Sequence, residues 1–280
     1  MTGRRAAGAV RLDGATPPLS AQPGPGARIH TATRRVRLAD VAPDGRVRLD
    51  AVARYLQDVA GDDVRDAGLG DHRWVVRRTY LELRRRPRYE ELLELATWCS
   101  GTGAAWAERR TSIVAESGSV IEAAALWVNL DPVTMRPAVL AGEFDDVYAN
   151  AAGGRQVRAR LVHPDPPADD ERSVSAEQVG EYHWALRASD FDVLGHVNNA
   201  VAWALLDEVV GRVAPGRRVL SAEVEYREPI AAVGAVALRW SAAGDVVQLW
   251  VAPEGGGVAV TARVRIGPRG RGPGSSLPSL

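Results

Sequence analysis

Apolar positions along this chain recur with two different periods, and the switches between them mark out its elements. Leu49, Val52, Ala53, Leu56, Val59 and Ala60 fall at i, i+3, i+4, i+7, i+10 and i+11, the stripe a helix turns toward a core. The spacing predicts a helix over about 47–66, with Asp50, Gln57, Asp58 and Asp62 facing out. A second helix is predicted from Val197 to Val210. It is apolar nearly all round and therefore buried, with Asn198 or Asn199 to cap its start. β-like runs follow each helix: 73–84, 91–99, 104–115 and 119–130 after the first, and 217–227, 233–242, 245–252 and 257–266 after the second. Gly or Pro punctuates most of the gaps. A helix and then a run of strands, twice over, implies an α+β protein in which each half curls an antiparallel sheet about a central helix.

The two halves also repeat each other in sequence. Arg37, Asp40 and Ala51-Val52-Ala53-Arg54-Tyr55-Leu56-Gln57-Asp58 correspond to Arg187, Asp190 and Ala200-Val201-Ala202-Trp203-Ala204-Leu205-Leu206-Asp207. The offset is 150 residues, falling to 149 within the helix, and it aligns Asp207 with Asp58. Stretches rich in Pro, Gly and Ala divide the chain. They predict a flexible arm over 1–28, a first folded half over 29–139, a linker over 140–175 centred on His163-Pro164-Asp165-Pro166-Pro167, a second half over 176–267, and a flexible tail over 268–280.

Composition narrows the function classes. With 46% hydrophobic and 25% charged residues in 280, the chain is globular in character and long enough for a sizeable core. The 35 basic residues are all Arg, and 35 acidic residues cancel them, which argues against a nucleic-acid binder with a broad basic field. Cys99 is the one cysteine, so neither an intrachain disulfide nor a cysteine zinc cluster is expected. The N-terminus has no secretory pattern, and no apolar run is long enough to span a bilayer. A cytoplasmic protein is expected.

The chemistry gathers just before the second helix, in Arg187-Ala188-Ser189-Asp190-Phe191-Asp192-Val193-Leu194-Gly195-His196-Val197-Asn198-Asn199. Carboxylates, an imidazole and two amides sit there beside backbone N–H groups that a helix start leaves unbonded. Those donors, with the helix dipole, suit an oxyanion formed when a carbonyl is attacked, so the stretch has the parts of an acyl-transfer site. A capped helix with Asp192 and His196 bonded in a turn is the alternative on composition alone. Arg187 and Asp190 read as a structural ion pair.

The string from Asp190 through His196-Val197-Asn198-Asn199, the downstream Val224-Glu225-Tyr226-Arg227-Glu228, and the first-half pieces Trp74-Val75-Val76-Arg77, Arg86-Pro87, Thr97-Trp98, Leu126-Trp127-Val128 and Thr134-Met135-Arg136-Pro137 together resemble the acyl-acyl-carrier-protein thioesterases, the bacterial relatives of the plant chloroplast enzymes. The resemblance runs in order from about residue 30 to 266. It implies a double hotdog, in which two sheets each wrap a helix and pack as an internal pseudo-dimer. It also implies hydrolysis of an acyl-acyl-carrier-protein to a free fatty acid, within fatty acid biosynthesis and lipid metabolism.

Carried over by position, the family's catalytic Asp and His fall on Asp192 and His196, with Glu228 as the second carboxylate and Glu225 a weaker equivalent. The family's intervening Asn is Leu194 here, and its Cys is missing. Gly195, Val197, Asn198 and Asn199 are expected to meet the thioester, with oxyanion donors among the amides of Gly195 to Asn198. Trp74 and Trp98, with Trp106, are expected to shape an acyl pocket in the first half, where Arg46 replaces His196 and nothing reproduces Asp192. Trp127, Trp240 and Trp250 are expected to be packing. No metal or cofactor is implied. The expected partner is an acyl carrier protein bearing an acyl-phosphopantetheine, or acyl-CoA, with the chain a monomer or homodimer.

Two other classes compete. Hotdog dehydratases or hydratases act on acyl thioesters with a carboxylate such as Glu208, and a non-catalytic acyl-thioester-binding accessory protein would need no complete acid–amide–imidazole set. Arg84-Arg85-Arg86-Pro87-Arg88 suits the acidic surface of a carrier protein, but flanking glutamates make solvated surface the plainer reading.

Overall fold

A computed structural model describes residues 23–24, 26–70, 73–140, 142–167, 178–231 and 234–269. Strand β1 (His30–Arg35) leads through a short 3-10 turn into α1 (Leu49–Asp66), followed by β2 (Arg73–Leu83), β3 (Leu92–Thr102), β4 (Trp106–Ala115) and β5 (Val120–Leu130). A helix α2 (Gly142–Ala152) comes next. The second half repeats the plan with β6 (Gln178–Ala185), a 3-10 turn, α3 (Asn199–Val213), β7 (Arg217–Tyr226), β8 (Ala235–Ala243), β9 (Val246–Pro253) and β10 (Val260–Arg269).

All ten strands form one antiparallel sheet in the order β1-β3-β4-β5-β2-β7-β10-β9-β8-β6. Two five-stranded sheets are thus made continuous through the β2–β7 seam, where Arg78 to Glu82 pair with Glu225 to Ser221 and Arg78 meets Glu223 at 3.5 Å. Each sheet holds its own helix, α1 and α3 pack against each other, and one hydrophobic core runs through both halves. This is a double hotdog.

The eight strands that follow the helices lie within a few residues of their expected ends. β1 and β6, the two outer edges of the sheet, were not anticipated. Each is short, and the polar, exposed alternate residues of β1 give it little apolar signal. The helical repeat is also corrected. Both helices begin at an offset of 150 and keep it, with buried and exposed positions matching from Ala53 and Trp203 to Gly61 and Gly211. The mate of Asp207 is therefore Gln57, and that of Asp58 is Glu208. Identical Ala-Val-Ala triplets drew the alignment one residue out of register.

The stretch 140–175 is more ordered than its composition suggests. Phe144, Tyr148, Ala151 and Ala152 of α2 pack on Leu69, Cys99 and Ala107, closing the outer side of the first half. Beyond it, His163 lies buried against β7 and β10, with Nε2 3.1 Å from Glu223 Oε2 and Nδ1 3.0 Å from Thr261 Oγ1. Val162 and His163 donate their N–H groups to Glu225 at 2.6 and 3.1 Å. The fully buried Glu225 therefore anchors the connection to the sheet and is not a catalytic carboxylate. Most of the arms expected at 1–28 and 268–280 lies outside the described residues. The inner end of the first is fastened, Arg28 pairing with Asp63 at 2.9 Å and Asp66 at 2.8 Å, and the inner end of the second, to Arg269, belongs to β10.

Replacing Glu225 by Ala leaves two N–H donors unpaired, one of them in the buried His163, and is expected to destabilise the fold by about 3 kcal/mol, read from urea unfolding.

Candidate active site

Each central helix is entered by the same device. Arg187 and Asp190 bracket the 3-10 turn before α3, with Arg187 N–H 2.9 Å and its guanidinium 2.7 Å from the buried Asp190 carboxylate, an ion pair that fixes the approach. Phe191 and Val197 then bridge a tight loop whose reversal needs positive φ at Gly195 (74°), as the first-half loop needs it at Gly45 (75°). Asn198 caps α3, its Oδ1 accepting from Ala200 N–H at 2.9 Å. Below the first turn, Trp203 Nε1 donates to Tyr226 Oη at 2.9 Å, and that hydroxyl donates to Asn199 O at 3.1 Å.

Within the loop Asp192 is held by its own backbone. Its Oδ1 accepts from the N–H groups of Leu194 (2.9 Å) and His196 (3.2 Å). The main-chain amide of Leu194 thus holds Asp192, at a position with no side-chain amide. Asp192 and His196 are both half-buried, while Leu194 is 62% exposed and points away from the core. Val197 N–H donates to Ile230 O at 2.8 Å, binding the loop to the segment that carries Glu228, whose carboxylate has no partner among the described residues. Asp192, His196 and Glu228 therefore come from two adjoining loops at one end of α3. Among the described residues no bond joins the Asp192 and His196 side chains.

The expected oxyanion donors are corrected. Gly195 N–H bonds Asp192 O, His196 N–H bonds Asp192 Oδ1, Val197 N–H bonds Ile230 O and Asn198 N–H bonds Asp190 O, so all four amides are used within the protein. Asn199 N–H, the first of the helix, has no acceptor among the described residues. Its mate in the first half is Leu49 N–H, which donates at 2.8 Å to Asp207 Oδ2 reaching across from α3. Burial raises the Asp207 carboxyl to about 6, against the opposing pull of Arg86. The sequence placed Asp207 only through its alignment with Asp58, as a structural position shared by the two helices. Its role depends on the antiparallel crossing of the two helices, which no local pattern reveals.

The first half holds a cavity of about 370 Å³ among α1, the sheet and α2. Trp74, Trp127, Cys99, Ala107 and Phe144 line it, and Gln57 enters from α1. Trp74 is where the acyl pocket was expected. Trp98, by contrast, is buried in β3 and does not line the cavity, Trp106 is tied to Val157 O at 2.9 Å, and Trp127, expected as packing alone, serves both core and cavity wall. Asp192, His196 and Glu228 lie outside this lining. Burial pushes the Cys99 thiol up to about 11, which leaves it protonated and unsuited to nucleophilic work at neutral pH. Among the described residues no group of three or more His, Cys, Asp or Glu is placed to hold a metal ion, and no helix is long and apolar enough to cross a membrane.

Residues 28–148 match the family profile of the acyl-ACP thioesterase N-terminal domain. Over that stretch the chain is similar to the acyl-ACP thioesterases. It is 26% identical over 220 residues to the chloroplastic palmitoyl-acyl carrier protein thioesterase of Arabidopsis thaliana, covering 69% of this chain and 50% of the plant protein. It has the same identity over 227 residues with an uncharacterized protein of Mycobacterium tuberculosis, covering 79% and 86%. In fold it is similar to the 12:0-ACP thioesterase from Umbellularia californica (TM-score 0.69, 21% identity, 86% of this chain and 97% of that one). An acyl-ACP thioesterase from Bacteroides thetaiotaomicron is comparable (TM-score 0.69, 18% identity, 85% and 98%).

Two measurements check this geometry. Asn198→Ala should cost about 1 kcal/mol of stability by uncapping α3. For Asp207, the folded state keeps the carboxyl proton up to about pH 6 while the unfolded chain loses it near 3.8, so stability declines as pH rises across that interval. Asp207→Asn keeps an acceptor for Leu49 N–H and should flatten this decline in denaturation curves taken between pH 4 and 6.

Proposed function

We propose that the chain hydrolyses an acyl thioester carried by an acyl carrier protein, with bond cleavage at the start of α3 and the acyl tail in the first-half cavity. The observation that carries this reading is the contrast between the two helix starts. Leu49 N–H already holds a carboxylate oxygen at 2.8 Å, which marks the position as one that accepts a partial negative charge. Asn199 N–H offers the same donor with nothing on it among the described residues, and a carboxylate-bearing loop leads directly into it. Gln57, the mate of Asp207, lines the cavity, and in this reading the tail site therefore adjoins the thioester at the start of α3.

In this reading the thioester carbonyl oxygen accepts from Asn199 N–H, and the dipole of α3 stabilises the charge that grows there. Asp192 is fixed through Oδ1 and uses Oδ2, either attacking the carbonyl carbon or taking a proton from the attacking water. His196 orients the carboxylate or the substrate, and Glu228 activates water. The carbon–sulfur bond breaks, the thiol leaves with a proton, and water's oxygen ends in the free acid. Family and fold support thioester hydrolysis, and the relatives' carrier-bound substrates support the acyl-carrier form. Glu208, the carboxylate a dehydratase would need, is held by Arg212 at 2.7 Å on the exposed flank of α3.

Mass spectrometry of acids released from a panel of acyl-carrier thioesters, with thiol release followed in parallel, tests the reaction. Asp192→Asn should lower turnover by about a hundredfold or more with the fold unchanged. Asn199→Pro isolates the amide, because Pro is well accepted at the first helical position and Asn198 (φ −59°, ψ 137°) already has the extended backbone that precedes Pro. It should reduce kcat by about 10²–10³ while leaving thermal stability nearly intact. Unaltered turnover in both variants would refute the assignment.

A further inference from the structure

The first-half mate of the catalytic loop has exchanged its chemistry. At the strict offset of 150, Asp192 becomes Ala42, His196 becomes Arg46 and Asn198 becomes Arg48, while Asp207 covers the helix amide that would otherwise hold an oxyanion. Hydrolysis is therefore excluded at this end of the molecule, but the space is kept. A cavity of about 570 Å³ opens there, within the roughly 300–1,000 Å³ of small-molecule sites.

Seven arginines line this cavity against two carboxylates, Asp44 and Asp207. They come from two walls: Arg46, Arg86 and Arg88 from the first-half loops, and Arg218 from the start of β7 in the second half. Among the described residues no carboxylate lies within ion-pairing distance of Arg88 or Arg218. Arg46 has Asp44 only at 3.6 Å, and Arg86 has Asp207 only at 3.8 Å. Burial and the neighbouring charges of Arg88, Arg86 and Arg218 all lower the Arg46 pKa, the opposite of what a paired guanidinium experiences. Arg48 is paired with Asp50 at 2.9 Å and Arg218 donates to Arg84 O at 2.8 Å, but the lining as a whole holds more guanidiniums than carboxylates.

We propose that this cavity is a second ligand site, distinct from the thioester site, that takes a small molecule bearing a diphosphate. Guanidinium forks match phosphate oxygens bidentately, and several cations brought in by separate segments of the chain suit two linked phosphates better than one. An acidic protein surface is the less fitting occupant, because the charges face a concavity and a small ligand enters it more easily than a folded surface. The site stands independently of the hydrolase reading.

Isothermal titration of the full chain with pyrophosphate, ADP and orthophosphate tests the proposal. Pyrophosphate and ADP should each bind, with orthophosphate about tenfold weaker. Tighter binding of ADP than of pyrophosphate would assign the ligand as a nucleotide, and equal binding would assign the diphosphate alone. The double substitution Arg88→Ala and Arg218→Ala, at two exposed positions, should weaken both by about tenfold or more without changing the unliganded melting temperature. Asp192→Asn should leave them unchanged. The proposal fails if no phosphate compound binds, if the arginine substitutions leave binding intact, if binding is lost with Asp192, or if only an acyl carrier protein responds to the arginine changes.

Discussion

The first turn of an α-helix carries N–H groups that the helix cannot satisfy, and this molecule begins two such helices against its own core. How those amides are bonded is where the two ends differ. At α3 the cap Asn198 takes Ala200 N–H, and the loop amides from Gly195 to Asn198 close on the loop itself or, for Val197, on Ile230 O, leaving Asn199 open. At α1 the cap position is Arg48, which cannot accept a hydrogen bond, and Asp207 of the other helix serves in its place. The antiparallel crossing of α1 and α3 is what brings that carboxylate within reach, so helix packing and site chemistry are one arrangement.

The surroundings follow from the same constraint. The loop that carries Asp192 is held by Arg187–Asp190, by the positive φ of Gly195 and by the two amides on Asp192 Oδ1, with no side-chain amide at position 194. The connection between halves must not swing across the sheet, and Glu225 with Glu223 and His163 fastens it. Buried charge of this kind is costly unless every oxygen is bonded, and backbone N–H groups of the connection bond to Glu225.

Much of this was legible in the sequence, and the failures have physical causes. The eight strands after the helices alternate or run apolar strongly enough to be read, and both helices were placed by their stripes. β1 and β6 were missed because edge strands with polar alternate positions lack apolar contrast, and α2 because its Ala and Asn content resembles a loop until Phe144 and Tyr148 are seen against Cys99 and Leu69. Asp192 and His196 stood out because their loop is contiguous. The open amide of Asn199, the reach of Asp207 and the cavity wall at Trp127 depend on contacts between segments far apart in the chain, 158 residues for Leu49 and Asp207, which composition and period do not encode.

A single polypeptide runs through both hotdogs and makes the pair one covalent object, and that has a bearing on divergence. In an assembly of two identical subunits every substitution is made twice, so neither helix end can change its chemistry while the other keeps it. Fusion lifts that restriction: Ala42 and Arg46 stand opposite Asp192 and His196 because each end answers to its own stretch of gene, free to specialise under a shared roof of β-structure.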